Sequence, residues 1–483
     1  MRNEPEGDTV MADRMAAVLA AQRAAIMAEL PVPVAVRRDR LQRAVALLVD
    51  QAEPIAVALS DDFGHRSREQ TLLTDVLGAI RALKHAARHA ARWARPERRR
   101  LDFPLGLLGA RAWVAWQPKG VVGIIAPWNF PIQLAFAPLA GAFAAGNRAM
   151  LKMSEYVPAT TALLEQAVPR YFAEDELTVF GGGPEAGQAF AALPFDHLLF
   201  TGATGIGRHI LHAAADNLTP VTLELGGKSP AIIGRSADIA RAAERIAMGK
   251  LLNAGQICLA PDYLLVPEEG EDAVVAGLAA AAARLYPTMR ANPDYTAVVN
   301  SRHFDRLNNW VADAREKGAT VEVINPAGKD FAGSNGTRMP LHIIRGATDE
   351  MTVMQQEIFG PVLPIRRYRA IDDAIAEVNA RPRPLGLYYF GEDAGEQQTV
   401  LDRTISGGVT LNDVIFHTAM EDLPFGGIGP SGMGSYHGID GFRTFSHAKA
   451  VYRQPRLDVA KLAGFKPPYG AATRRAIARE LKR

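Results

Sequence analysis

The stretch His197-Leu-Leu-Phe-Thr-Gly-Ala-Thr-Gly-Ile-Gly207 indicates how this chain folds. A short apolar run of strand type leads into a turn with three glycines, and we expect the next helix to begin at Arg208. Glycines at such a turn let the backbone approach a phosphate, and a helix N-terminus supplies N–H donors. The spacing differs from G-x-G-x-x-G, so a plain strand–turn–helix explains it equally well.

From Trp113 onward, short apolar runs alternate with inserts of helix length. The alternation predicts an α/β protein with parallel sheets. We expect two domains in tandem, with the boundary between them near Glu224–Cys258. The predicted strands that precede Cys258 are Val121–Ile125, Ala149–Lys152, Leu177–Phe180, His197–Phe200, Val221–Glu224 and Ala231–Ile233. Those that follow it are Tyr263–Val266, Thr320–Val323, His342–Arg345, Val362–Arg367, Leu385–Phe390 and Val409–Leu411.

The first hundred residues predict helices instead. Apolar positions recur at helical spacing over Met15–Leu30, Leu41–Leu59 and Leu77–Ala94, and Pro31 and Pro33 separate the first two helices. The basic stretch Arg92–Arg100 is interpreted as a solvated connector, because the chain as a whole has no excess of positive charge.

Composition narrows the class of protein. With 483 residues, the chain is expected to form two or three domains. Its 54 Lys and Arg nearly balance its 52 Asp and Glu, so no global field attracts nucleic acid or anionic lipid. Met1–Val10 is acidic and polar, unlike a signal peptide, and the apolar run Leu134–Gly146 is too short to span a bilayer. We therefore expect a soluble cytoplasmic protein with no nucleic-acid or membrane partner.

Cys258 is the only cysteine, which excludes an intramolecular disulfide and a multi-cysteine metal cage. The thiol is either inert and buried or a nucleophile. Thirty-four residues upstream, Glu224 stands in an apolar strand before Gly226 and Gly227. A carboxylate in a buried stretch is costly unless it has a function, and this favours the nucleophile.

Other candidate site residues stand at turns. Asn129, between Pro127 and Pro131, is suited either to donate to an oxyanion or to cap the following helix. Lys152 and Glu155 end a predicted parallel strand, where a doubly wound sheet binds its ligand. The segments that contain Glu357 and Phe425 also fit simple turn chemistry.

Two histidine pairs, His85 with His89 and His209 with His212, each share a helix face. Neither segment offers the third and fourth ligands that a metal site needs, so we expect no metal.

Together these segments resemble the aldehyde dehydrogenase superfamily from about residue 40 to residue 455. The matching stretches are Pro127-Trp-Asn-Phe-Pro131, Lys152-Met-Ser-Glu155, Phe200–Gly207, Leu223-Glu-Leu-Gly-Gly-Lys228, Gly255-Gln-Ile-Cys258, Glu357-Ile-Phe-Gly-Pro361 and Pro424-Phe-Gly-Gly427. Cys258–Tyr263, Leu411–Val414 and Gly429–Gly438 look like the class 3 branch, and the last is similar to coniferyl aldehyde dehydrogenases. Ala203 stands where many members have Ser, which leaves one hydroxyl contact to pyrophosphate open, and Met153 replaces the proline usual after the lysine.

The resemblance implies that Cys258 attacks the aldehyde, that Asn129 and the Cys258 N–H hold the oxyanion, and that Glu224 activates the hydrolytic water. It implies NAD as cofactor, with NADP as the alternative, and no metal. Lys152 and Glu155 bind the adenosine ribose, Glu357 binds the nicotinamide ribose, and Phe425 packs near the nicotinamide end. The remaining residues expected at the cofactor are Trp128, Gly202, Ala203, Thr204, Gly205, Gly207, Leu225 and Phe359.

The resemblance also implies an organisation of the chain. Residues 1–110 and 121–226 form a cofactor-binding domain, and residues 227–430 form the catalytic domain. Residues 111–120 and 431–455 form a bridging and oligomerisation element of a homodimer, and residues 456–483 form a C-terminal tail.

Three other functions remain open. A cysteine hydrolase needs a histidine partner, which is not near Cys258 in sequence. A catalytically silent relative is expected to have lost Glu224, Cys258 or Asn129. A CoA-acylating dehydrogenase has no need of Glu224 to activate water. The substrate is either an aromatic phenylpropenal, such as coniferyl aldehyde, or a medium-chain aliphatic aldehyde.

Overall fold

The structure is a computed structural model that describes residues 4–103, 105–328, 331, 336–462 and 464–482. Residues 1–3 and 104 of the first expected domain, and residues 463 and 483 of the expected tail, lie outside this set. The α-helices are α1 (Glu4–Glu29), α2 (Val34–Asp50), α3 (Ala52–Asp62), α4 (Arg68–Thr71), α5 (Leu77–Trp93), α6 (Pro131–Ala145), α7 (Pro158–Ala167), α8 (Pro184–Ala191), α9 (Thr204–Ala215), α10 (Ile239–Leu251), α11 (Glu271–Leu285), α12 (Ser301–Glu316), α13 (Thr352–Gln355), α14 (Ile371–Asn379), α15 (Ala394–Arg403), α16 (Gly438–Thr444), α17 (Val459–Leu462) and α18 (Ala471–Glu480).

The strands form three sheets, and the predicted α/β class is confirmed. The strands are β1 (Glu97–Arg99), β2 (Arg111–Pro118), β3 (Val121–Ile125), β4 (Arg148–Lys152), β5 (Leu177–Phe180), β6 (His197–Gly202), β7 (Val221–Leu225), β8 (Pro230–Ile233), β9 (Tyr263–Pro267), β10 (Thr320–Ile324), β11 (Leu341–Arg345), β12 (Val362–Tyr368), β13 (Gly386–Phe390), β14 (Gly408–Leu411), β15 (Gly432–Met433) and β16 (Ser446–Arg453).

The first sheet has the order β15-β7-β6-β3-β4-β5, and every pair in it is parallel except β15 with β7. Strand residues alternate between its two faces. Val122 and Ile124 pack into the core that contains α6, whereas Val121 joins the core that contains α1 and α8. The sheet is therefore covered by helices on both sides, as a doubly wound sheet requires.

The second sheet has the order β10-β11-β12-β9-β8-β13-β14, and only the edge pair β10 with β11 is antiparallel. Leu264 and Val266 face the core formed with α10 and α11, whereas Tyr263 and Leu265 face the core formed with α12. The chain passes from the first sheet to the second between Leu225 and Pro230.

A small antiparallel sheet of β1, β2 and β16 links distant parts of the chain. The interpretation of Arg92–Arg100 as a solvated connector is wrong in part, because Glu97–Arg99 pairs with Ala112–Val114. Gly432, which we expected in the bridging element, instead pairs with Glu224 at the edge of the first sheet. Its φ of +141° and its approach to the Leu223 carbonyl oxygen, 2.2 Å from where a Cβ would lie, both require glycine.

The predicted helix Leu41–Leu59 is in fact two helices, α2 and α3, divided at Gln51. Pro54 explains the break, since it lacks the N–H that a continuous helix needs to bond the carbonyl of Asp50. The break at Pro31 and Pro33 is confirmed. In the described part of the chain, no helix is both long enough and apolar enough to cross a membrane.

Candidate active site

Glu224 and Cys258 meet where the first sheet gives way to the second. Glu224 lies near the end of β7 and is 1% exposed. Neither of its carboxylate oxygens has a hydrogen-bond partner among the described residues. Burial raises the pKa of Glu224 to about 7, against smaller opposing effects of the nearby Cys258 and Thr201 side chains. A carboxyl group with this pKa exchanges a proton readily near neutral pH.

Cys258 is half-buried on the loop that follows the 3-10 turn Leu252–Gly255. Burial, followed by the nearby carboxylates of Glu224 and Glu357, raises the pKa of the thiol well above its ordinary value. The thiol therefore depends on a neighbouring proton acceptor to become a thiolate.

Hydrogen bonds hold this loop on two sides. The Gln256 amide donates to the carbonyls of Asn253 (2.9 Å) and Ala297 (3.0 Å), and the N–H of Val299 donates to its Oε1 (2.9 Å). The hydroxyl of Tyr388 donates to the carbonyl of Leu259 at 2.6 Å. The backbone on either side of the thiol is thereby fixed.

Asn129 lies in the turn between β3 and α6 and is 3% exposed. Its Nδ2 donates to the carbonyl oxygen of Gln256 at 3.1 Å, two residues before Cys258. The alternative role of Asn129 as a helix cap is wrong: Phe130 is the N-cap, and Asp75 accepts hydrogen bonds from the first N–H groups of α6. An amide has two N–H donors, so one donor of Asn129 remains for a ligand.

Lys152 and Glu155 lie at the end of β4, at the carboxyl edge of the first sheet. The Lys152 ammonium is 2% exposed and donates to the carbonyls of Met153 (2.7 Å) and Gly182 (2.9 Å), and burial lowers its pKa. Glu155 is exposed in the turn that follows. A buried cation is thus placed beside an exposed carboxylate.

The glycine-rich turn leads directly into α9, which begins at Thr204 and not at Arg208 as expected. Gly205 and Gly207 therefore belong to the first turn of the helix. A Cβ at Gly207 would lie 2.8 Å from a methyl of Leu225, so glycine permits the close packing of α9 on β7. A Cβ at Gly205 would meet nothing within 4 Å, so this side of the helix N-terminus is open.

Two further expected residues lie at this turn: Ala203 is the N-cap of α9, and a Cβ at Gly202 would lie 2.5 Å from the Phe200 ring. Phe425 is buried elsewhere in the core, with its ring centre 5.0 Å from that of His437.

Glu357 and Phe359 lie on the loop between α13 and β12. A Cβ at Gly226 would lie 2.1 Å from a carboxylate oxygen of Glu357, so the two segments touch. Glu357 Oε1 is buried and has no partner among the described residues, and burial, with a smaller effect of Asp262, raises its pKa to about 8. Phe359 has a φ of +51°, and its ring packs edge-on against Trp128 at 5.3 Å.

The structure thus brings Asn129, Glu224 and Cys258 together in one group. Glu357 is close enough to influence the thiol, whereas Lys152 and Glu155 form a second group. Sequence reasoning missed the polar residues behind Asn129, which are Arg66, Gln70, Asp75 and Asn253. In the described part of the chain, no three His, Cys, Asp or Glu side chains are arranged to hold a metal ion.

Comparison with known proteins identifies the family of this chain. The model of the aldehyde dehydrogenase family matches residues 7–451. A probable coniferyl aldehyde dehydrogenase of Caulobacter vibrioides is 56% identical over 467 residues, which are 96% of each chain. The coniferyl aldehyde dehydrogenase of Pseudomonas sp. is 53% identical over 466 residues, again 96% of each chain.

A solved structure agrees with this result. The substrate-bound AldH of Staphylococcus aureus superimposes with a TM-score of 0.88, covers 96% of this chain and 99% of its own, and is 34% identical. The chain therefore belongs to the aldehyde dehydrogenase family.

Proposed function

We propose that this aldehyde dehydrogenase oxidises a phenylpropenal such as coniferyl aldehyde to its acid, with NAD as oxidant and Cys258 as nucleophile. One observation carries the proposed roles: Glu224, a buried carboxyl group whose pKa burial raises, lies against the only thiol of the chain. A cysteine hydrolase has no need of the second group of residues around Lys152.

In the first half-reaction, Cys258 reacts as the thiolate: its sulfur forms a bond to the carbonyl carbon, and the carbonyl π electrons move to oxygen. The free N–H of the Asn129 amide and the backbone N–H of Cys258 donate to this oxyanion. The carbon–hydrogen bond then breaks with its electron pair, the carbonyl re-forms, and a thioester remains on Cys258.

In the second half-reaction, Glu224 takes a proton from a water molecule as that water attacks the thioester. The carbon–sulfur bond breaks, the acid is released, and the thiolate returns. Glu224 suits this role because it is buried beside the thiol and burial raises its pKa to about 7.

The residues present fit a nicotinamide dinucleotide, which when bound supplies the hydride acceptor. The buried Oε1 of Glu357 has no partner among the described residues, so it can accept a hydrogen bond from a ribose hydroxyl. The Lys152 ammonium uses two of its three donors. The first N–H groups of α9 lack helical partners, as at every helix start, and the Gly205 side of this N-terminus is open to a phosphate.

Two features support finer assignments. The exposed carboxylate of Glu155 accepts hydrogen bonds from a ribose 2′-hydroxyl and repels a 2′-phosphate, which favours NAD over NADP. The phenylpropenal is supported by the names of the two relatives that match nearly the whole chain.

We also propose a homodimer. Among the described strands, β16 pairs with β2 alone, so its other edge is available to extend the small sheet across a two-fold axis. Light scattering of the full chain at micromolar concentration is expected to give twice the mass of one chain. A monomer mass would contradict the dimer.

An aldehyde panel tests the function. Coniferyl aldehyde, cinnamaldehyde and a medium-chain aliphatic aldehyde are each supplied with NAD or NADP while reduced cofactor is followed by absorbance. We expect coniferyl aldehyde with NAD to have the highest kcat/KM, with the free acid as product whether or not CoA is present. Ester hydrolysis without any aldehyde oxidation would favour the cysteine hydrolase, and a strict need for CoA would favour the acylating enzyme.

A further inference from the structure

A buried ion pair lies behind the turn that carries Asn129, and no step of the proposed reaction uses it. The side chains of Arg66 and Asp75 are 0% exposed, and Arg66 Nη2 donates to Asp75 Oδ2. Burial lowers the pKa of Arg66 and raises that of Asp75, so desolvation outweighs their mutual attraction. Such a pair is a poor source of stability, and its role has to be sought in the groups that it holds.

The pair holds the Asn129 turn on both sides. Arg66 Nη1 donates to the backbone carbonyl of Asn129 at 2.7 Å. Asp75 Oδ1 accepts from the N–H groups of Ile132 (3.1 Å) and Gln133 (3.2 Å), which are the start of α6. Asp75 itself lies in the π-helical turn Leu72–Val76, a type of turn that is frequent at functional sites.

The guanidinium of Arg66 is held between aromatic rings. Its Cζ lies 4.9 Å from the centre of the Phe63 ring and 5.0 Å from that of Phe130. Attraction between the cation and both ring faces adds to the hydrogen bonds that hold the guanidinium in place.

A second set of bonds ties Asn129 to the loop of the thiol. Asn253 Nδ2 donates to the carbonyls of Asn129 and Gln256, each at 3.2 Å. Gln70 fixes Asn253 with two bonds, from its Nε2 to Asn253 Oδ1 (3.1 Å) and from the Asn253 N–H to its Oε1 (2.9 Å). The carbonyl of Asn129 thus receives one donor from the loop between α3 and α4 and one from the 3-10 turn that precedes Cys258.

We propose that Arg66 and Asp75 are positioning residues that set the Asn129 amide for the oxyanion. This inference rests on the proposed function, in which Asn129 donates to that oxyanion. Such donors act only within about 2.7–3.1 Å of the developing charge, and loss of one costs roughly 10²–10³ in kcat. A displacement of about 1 Å costs up to about a hundredfold. A shift of the turn is therefore expected to lower kcat.

The test uses the variant Arg66→Met/Asp75→Asn in the full chain. Asparagine still accepts from the start of α6, and removing both charges avoids leaving one ion buried alone. We expect kcat to fall about tenfold to a hundredfold, with little change in the KM for aldehyde or in NAD binding. The rate of Cys258 alkylation should stay unchanged, because the proposed effect reaches the oxyanion donor and not the thiol.

The decisive comparison repeats the change in an Asn129→Ala background. If Arg66 and Asp75 act through Asn129, the double substitution has no further effect on kcat there. An equal loss in both backgrounds, or no loss in either, overturns the inference. If Asn129→Ala is as active as the natural protein, the proposed role of Asn129 fails first, and this inference falls with it.

Two further variants distinguish a loss of positioning from a loss of protein stability. Arg66→Lys keeps a buried cation but cannot donate through two guanidinium nitrogens at once. We expect this variant to fold well and its kcat to fall about tenfold. Arg40→Met/Glu29→Gln is the matched control, since Arg40 is also buried and paired with Glu29. The second partner of Arg40 is Glu176, which directly precedes β5. This amino end of the strand is opposite to the carboxyl end, where the site lies. We expect the control to lower thermal stability and to leave kcat unchanged. An equal fall in kcat in the control overturns the inference.

Discussion

The proposed reaction centre and the proposed adenosine side of the cofactor region both use residues of the first sheet but differ in their contact with solvent. At the reaction centre, Asn129 and Glu224 are 3% and 1% exposed, and Glu224 has no hydrogen-bond partner in the described chain. On the adenosine side, Glu155 is exposed, and the helix N-terminus at Gly205 is open. The proposed reaction centre is thus enclosed, whereas the proposed adenosine side is open to solvent.

This difference teaches where large effects are to be expected. Exclusion of water strengthens electrostatic interactions at the proposed reaction centre. Losing one group there is therefore expected to change rates by orders of magnitude. Water screens the charges on the open side, so a change there alters cofactor preference by a modest factor. The predictions below test this contrast, starting with the largest effect.

Cys258→Ala is expected to abolish aldehyde oxidation, because it removes the only atom to which the acyl group can bond. Binding of NAD, measured by calorimetry, should be retained, since the substitution removes one sulfur and no phosphate contact. Substantial dehydrogenase activity in this variant would contradict the covalent mechanism.

Glu224→Gln is expected to separate the two half-reactions. Hydride transfer should still occur, so the variant releases roughly one NADH per active site, and turnover then falls by about 10²–10⁴. Intact-mass spectrometry should show an acyl adduct on the peptide that contains Cys258.

The matched control for this variant is Glu357→Gln, the other carboxyl group near the thiol. It should raise the KM for NAD without trapping an adduct. Loss of the burst in Glu224→Gln would mean that Glu224 also deprotonates the thiol. Unchanged turnover would make Glu357 the base instead.

The pH dependence of deacylation follows from the same enclosure. Glu224 accepts a proton only when it is ionised, and burial raises its pKa to about 7. The rate at which a preformed acyl-enzyme breaks down should therefore fall as the pH drops below about 7 and level off above it. A single-turnover pH series measures this, and a midpoint near the ordinary carboxyl value of 4.5 would contradict the assignment.

Glu155→Gln is expected to have the smallest effect, on the open side. Removing its charge should narrow the preference for NAD over NADP by a few-fold, because the repulsion it removes is screened by solvent. Ratios of kcat/KM for the two cofactors measure the change. Glu165→Gln is the control. The charge of Glu165 also raises the pKa of Lys152, but its Oε1 accepts a hydrogen bond from the N–H of Gly181. Equal or better turnover of the natural enzyme with NADP would contradict the assignment.

Most strands were predicted from sequence because short apolar runs between glycines and prolines leave few alternatives. Val121–Ile125 and Leu177–Phe180 have the predicted limits. The start of α9 was predicted four residues late, since Gly205 and Gly207 resemble a turn and yet lie within the helix. The strand Glu97–Arg99 was missed because its charged residues give no apolar pattern and only its pairing with β2 defines it.

At the candidate site, local motifs singled out Cys258, Glu224 and Asn129, and the structure places them together. Motifs could not decide between the two roles of Asn129, because the competing cap, Asp75, is 57 positions away from Ile132 in sequence. Arg66 and Gln70 carry no local signal either, and their partners Asn129 and Asn253 lie 63 and 183 positions further along the chain. Such contacts exist only in the folded chain.

The bond between Gln70 and Asn253 also constrains when the enzyme can become active during its synthesis. A nascent chain contains Gln70 long before Asn253 is made, since the two residues are 183 positions apart. The side chain of Gln70 therefore lacks this partner until the turn that contains Asn253 has been synthesised and folded. Because Cys258 is the only thiol, its rate of labelling in a pulse of alkylating reagent would report when the two residues have come together.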